Sequence, residues 1–213
     1  MKKLKKYDTE TLGGRLKGYE SKCEIEIPSK SHICVRIDGH HFSSYTKGFM
    51  KPFDYILSEA FRLTSMDLLK EFNAVSVYTQ SDEISLIIPS LLNTEKHKGS
   101  NKPLWKHAYT GRVQKMASLI SAFTTMRFNK HLEFLIKTIG VQQPSEYFRI
   151  LKSKEGNAWF DARVFGVDSD EEAFNTLLWR IRDCQKNSKS VYAINTLAQH
   201  YFDESNSLQN QPS

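Results

Sequence analysis

Residues 74–89, AVSVYTQSDEISLIIP, constrain the fold more than any other stretch. Two strand-like runs, 74–79 and 83–88, meet at a short polar turn, which predicts a β-hairpin. A strand is expected upstream over 32–38, where Cys34, Arg36 and Asp38 alternate with Val35 and Ile37. Between strand and hairpin, Asp54 is placed to cap a helix. That helix runs through Ile56, Leu57, Ala60, Phe61, Leu63, Leu68, Leu69 and Phe72. After the hairpin come a polar, basic loop over 93–103 and a second helix over 107–128, with Val113, Met116, Ala117, Ile120 and Phe123 on one face. The segment from Phe128 to Pro144 starts helical and ends irregular. A fourth strand is expected over 158–167. Asp168 or Ser169 then caps a helix through EEAFNTLLWRIRDCQ, a last helix covers 189–202, and the tail DESNSLQNQPS frays.

Strand, helix, strand, strand, helix, strand is the split βαβ, ferredoxin-like order. The expected class is α+β, an antiparallel sheet with packed helices over 1–170, followed by a C-terminal helical extension over 171–213. In this topology the first and third strands lie antiparallel at the sheet centre. The end of strand one, at Asp38, therefore meets the start of strand three, at Asp82 and Glu83. The fourth strand brings the start of WFDARVF to the same edge.

Carboxylates that converge repel one another and raise at least one pKa, a poor choice without a compensating cation. Mg²⁺ takes oxygen from one or two carboxylates, water and substrate phosphates. Two such ions about 4 Å apart clamp the attacking and leaving oxygens of a phosphoryl transfer. Asp38, Asp82 and Glu83 are thus the expected catalytic carboxylates, with two Mg²⁺ ions as cofactor. Asp82 and Glu83 are consecutive and point to opposite faces in regular strand geometry. Asp82 is the expected direct ligand and Glu83 sits beside it.

Bulk properties narrow the class. The 213 residues carry 30 Lys and Arg against 24 Asp and Glu, a net charge of +6 that suits a polyanionic partner without demanding one. Basic groups cluster at Lys96, His97, Lys98 and Lys102, and again at Arg180, Arg182, Lys186 and Lys189, where they can meet RNA phosphates. Three cysteines without a C-x-x-C pair fit a reducing compartment, and the start MKKLKKYDTE has no apolar core, so a cytoplasmic protein without a membrane span is expected. His40 and His41 have no second His or Cys cluster at zinc spacing. A non-catalytic RNA-binding module is disfavoured, because HICVRID and EISLII carry no aromatic residue on which bases could stack. A nucleotide cyclase remains an alternative enzyme.

In order, VRIDGHHF, KPFD, TQSDEIS, FDARVF and WRIRDCQKNS resemble the signature stretches of the tRNA-His guanylyltransferase family over residues 30–203. The resemblance implies a palm-like core, two Mg²⁺ ions, and 3′–5′ addition of nucleotides to the 5′ end of tRNA, using ATP, GTP and other nucleoside triphosphates. It implies metal ligation by Asp38, the Gly39 carbonyl and Asp82. Nucleotide contacts are implied for Arg36, Gly39, His40, His41, Phe42, Ser43, Lys51, Ser81 and Asp82. RNA contacts are implied for Arg163, with Asp161 flanking the site, and for Asn187 beside the basic cluster on the same stretch. A homotetramer is implied as well. Where guanylyltransferases serving tRNA-His carry His-Ile-Asn-Asn, this chain has Gln185, Lys186, Asn187 and Ser188, and Ser43 stands where a His is frequent. That pattern is closer to the guanylyltransferase-like branch, which repairs 5′-truncated tRNAs by templated addition. G addition to tRNA-His is the alternative.

Overall fold

A computed structural model describes the backbone over 11–91 and 107–209 and the side chains over 11–91 and 107–189. Helix α1 (Leu12–Lys22) starts on a Thr11 side-chain cap and buries none of its residues. Strand β1 (His32–Gly39) leads into a one-turn helix α2 (Phe42–Tyr45). Helix α3 (Tyr55–Glu71) begins at Asp54, whose Oδ1 accepts from the Leu57 amide at 3.0 Å, the expected cap. The hairpin follows as β2 (Ser76–Gln80) and β3 (Glu83–Ile88). Then come α4 (Val113–Thr138), α5 (Ser145–Lys154), β4 (Phe160–Val167) and α6 (Asp170–Gln209).

The four strands form one antiparallel sheet in the order β2-β3-β1-β4. This is the expected ferredoxin-like arrangement, with β1 and β3 central. Register divides the sheet into two faces. Ile33, Val35 and Ile37 of β1 align with Ile88, Leu86 and Ile84 of β3. Together with α3 and α4 they make the main core, which includes Phe61, Leu68, Ile120, Phe128 and Leu132. The opposite face starts apolar, with Cys34, Ile87 and Ala173 of α6 packed together, and turns polar toward the end of β1. Burying one face and using the other is what separates structure from chemistry here.

Several boundaries differ from the sequence reading. Helix α4 starts at Val113 rather than 107, because Tyr109, Thr110 and Gly111 take left-handed φ of 55°, 60° and 72°, which no right-handed helix admits. It then runs unbroken to Thr138. Helix α6 is one helix where two were expected, since nothing between Gln185 and Lys189 is Pro or Gly. Ser169 is its cap, accepting from the Glu172 amide at 3.1 Å, while Asp168 accepts from the Ser31 hydroxyl at 2.6 Å. The tail expected to fray over 203–213 is helical as far as Gln209. The basic loop at 93–103, with Lys96, His97, Lys98 and Lys102, lies outside the described residues, as do 210–213.

Candidate active site

Glu83 of β3 lies opposite Asp38 of β1, and Asp161 of β4 lies opposite Asp38 on its other side. Directly paired residues project from the same sheet face, so three carboxylates form a row across three strands. Asp82 joins them from the two-residue turn before β3. The Gly39 amide donates to the Asp82 carbonyl at 3.0 Å, and the Ser81 hydroxyl, on a residue with φ of 49°, donates to Asp82 Oδ1 at 3.0 Å. The convergence expected from topology is therefore present, with Asp161 as a fourth member.

Crowding has an electrostatic consequence. Burial, then the charges of Asp82, Asp161 and Glu83, push the Asp38 carboxyl above its ordinary range, and Arg180 only partly offsets them. Arg180 reaches over from α6 and grips Glu83 with two hydrogen bonds, Nε to Oε1 at 2.6 Å and Nη2 to Oε2 at 2.7 Å. Burial works against the Arg180 charge, but its bonds to Glu83 outweigh this and raise its pKa. Beside Glu83, burial and contact with Cys184 push the Tyr78 hydroxyl up to about 12.

Among the described residues, no three His, Cys, Asp or Glu side chains converge closely enough to make a metal cage. Glu83 is committed to Arg180, which leaves Asp38 and Asp82 as the donors nearest the turn. Two carboxylates do not suit zinc, which favours His and Cys, or calcium, which takes six to eight oxygen ligands. They fit Mg²⁺, which keeps water and phosphate oxygens in its shell.

A pocket of about 750 Å³ opens beside these acids. Of the expected residues, Asp38, Phe42, Ser43, Lys51, Ser81, Asp82, Glu83, Arg180 and Asn187 line it. Arg36, Gly39, His40, His41, Arg163, Arg182, Lys186 and Lys189 do not. His40 and His41 are exposed, their rings edge to face at 4.1 Å. Arg36 lies opposite Arg163 and over the Trp179 ring at 5.6 Å. Arg182, Lys186 and Lys189 are exposed on α6, whereas Arg180 turns inward to Glu83 and is no part of a solvated basic face. Asp183, Cys184 and Ser188 line the pocket too and were missed. Their signal was the helical spacing 180, 183/184 and 187/188, which puts them on one face with Arg180.

A carboxylate row on the open face of a ferredoxin-like sheet, beside a nucleotide-sized pocket, is the layout of a nucleotidyltransferase. Comparison with known proteins gives the family. Residues 13–168 match the family model described as tRNAHis guanylyltransferase (Thg1). The chain belongs to this family and is a nucleotidyltransferase. It is 33% identical over 205 residues to an uncharacterized protein of Acanthamoeba polyphaga mimivirus, a match covering 95% of this chain and 67% of that one. A bacterial tRNA(His) guanylyltransferase-like protein solved with GTP superimposes with a TM-score of 0.67 at 33% identity, covering 87% of this chain and 77% of that one. The structure of such a protein with ATP gives 0.68 at 34%, covering 87% and 70%. The tRNA(His) guanylyltransferase of Saccharomyces cerevisiae, at 22% identity and a TM-score of 0.55 over 78% and 64% of the two chains, shares the fold.

Proposed function

We propose that this chain transfers a nucleotide from a nucleoside triphosphate to the 5′ end of a tRNA, and that G addition to tRNA-His is its first activity. The family match supports that activity over templated repair. The observation that carries nucleotidyl transfer is the meeting of Asp38, Asp82 and Asp161 beside a pocket lined by Lys51 and Ser81. Asp38, Asp82 and the Gly39 carbonyl would hold two Mg²⁺ ions. Such ions would polarise the phosphate under attack and stabilise the leaving group. Phe42, Lys51 and Ser81 bind the triphosphate nucleotide, with ATP and GTP as the expected ligands. Arg36 and Arg163, side by side and without a carboxylate partner among the described residues, receive phosphate of the nucleotide or of the RNA 5′ end. Residues 1–170 form the catalytic unit and 171–213 its extension, in a cytoplasmic homotetramer. Among the described residues no helix is long and apolar enough to cross a membrane.

Templated repair is a second reading, favoured by Gln185, Lys186 and Ser188 in place of the His-Ile-Asn-Asn stretch, with Asn187 and Ser188 on the pocket wall. One experiment separates the two. The chain is incubated with Mg²⁺, labelled nucleotides, and intact or 5′-truncated tRNAs with and without the His anticodon. G addition confined to the His anticodon supports the first reading. Complementary addition to truncated tRNAs of any anticodon supports the second, and no 5′ extension at all overturns both.

A further inference from the structure

The Arg180–Glu83 pair is unusual for its place. Both side chains are about one-tenth exposed, at 11% and 10%, and the pair is bidentate. The Ser85 hydroxyl adds a longer contact to Glu83 at 3.4 Å, and Arg180 reaches Asp183 at 3.2 Å while lying over the Trp179 ring at 4.7 Å. A buried ion pair is weak evidence for stability, since apolar residues of the same shape serve as well. A pair set directly across from Asp38 invites another explanation.

The geometry points to Arg180 as a positioning residue: it holds Glu83 out of the cation site and pins the α6 wall of the pocket to the acidic row. Without the guanidinium, Glu83 would join Asp38, Asp82 and Asp161 as a fourth free carboxylate and compete for the cation. With it, Glu83 adds no net charge, and the ion is left to Asp38 and Asp82, with Asp161 flanking them. The same two bonds fix α6 one turn before Asp183 and Cys184 and two turns before Asn187 and Ser188, all of which line the pocket. This inference rests on the reading that Asp38 and Asp82 take the divalent ions.

The sign of a charge effect makes the idea testable without turnover. Removing Arg180 adds net negative charge beside the ion, and removing the Glu83 charge adds net positive charge. Mn²⁺ binding to the full chain without nucleotide, counted by the loss of the free-ion electron paramagnetic resonance signal, reads both. Relative to the unmodified chain, Arg180→Ala binds Mn²⁺ about tenfold tighter and Glu83→Gln about tenfold weaker, as a unit charge several ångströms away dictates in partly screened surroundings. The double variant Arg180→Met with Glu83→Gln returns to within about twofold, because the two charge changes cancel. Arg180→Lys keeps the charge but loses the fork, so Mn²⁺ affinity holds while KM for the nucleoside triphosphate rises. Should Arg180→Ala not fold, Glu83→Gln and the double variant still decide. Shifts of the same sign in both single variants, or no recovery in the double, overturn the inference. Asp38→Asn is the control. If it binds Mn²⁺ as the unmodified chain does, the cation reading itself fails and takes this inference with it.

Discussion

The Phe42 ring lies so close to Gly39 that a Cβ at residue 39 would stand 2.2 Å from its Cδ2. Phe42 cannot yield easily, because its ring touches Phe61, Phe128 and Phe160 at centroid separations of 5.7, 5.9 and 5.2 Å. The residue that follows Asp38 is thus locked against the core. Gly39→Ala should cost roughly 1–3 kcal/mol by overpacking. It should also cut turnover by about 100-fold, since the adjacent Asp38 must shift. Adding Phe42→Leu should recover part of the stability. Urea unfolding of both single variants and the double checks this, and strict additivity would count against the contact.

Asp38 should be a destabilising residue in the metal-free protein. Its carboxyl is held above the ordinary range by burial and by Asp82, Asp161 and Glu83. A native pKa above the unfolded one means that stability present at low pH is lost as pH rises from the ordinary carboxylate range through the raised value. Asp38→Asn abolishes that loss. In EDTA the variant should match the unmodified chain near pH 3 and exceed it at pH 7.5 by up to about 1 kcal/mol, a small figure because the group is partly solvated. Nucleotide transfer should meanwhile disappear. Paired unfolding curves at the two pH values test the sign, and a variant that is less stable at pH 7.5 would refute it.

Asp54 carries a structural load at the pocket rim. It caps α3 through Leu57, accepts from the Met50 amide at 2.9 Å, and takes the Tyr147 hydroxyl, all while 4% exposed. Burial and that bond push the Tyr147 hydroxyl upward. Asp54→Ala removes a cap and orphans two donors, so roughly 2–4 kcal/mol of stability should go. Tyr147→Phe removes one bond and should cost about 1 kcal/mol. Thermal denaturation ranks the two; equal losses would mean that the cap and the Met50 contact contribute nothing.

The hairpin, the strand order and the meeting of Asp38 with Asp82 and Glu83 were legible because period-2 patterns bounded by polar turns survive in sequence. Asp161 was legible only as a neighbour, since its pairing with Asp38 is a matter of register, which no local pattern records. Helix α1 left no trace: Gly13 and Gly18 lower its propensity, and it buries no stripe to give a periodic signal. The Arg180–Glu83 contact spans 97 residues of chain, and on α6 Arg180 looks like one more basic residue among Arg182, Lys186 and Lys189. Charge counts show that a residue is basic; only packing shows which way it turns.

Helix α6 has 40 residues in one piece, about 60 Å end to end at 1.5 Å per residue. It rests on the sheet near Ala173 and Leu177 and meets the acidic row at Arg180, so 29 residues, or roughly 43 Å, reach beyond that fulcrum. A tilt of about 5° there would swing the far end by roughly 4 Å. The chain thus contains a lever whose long arm borders the pocket over its first two turns beyond the fulcrum, and a load farther along that arm would be felt at Glu83.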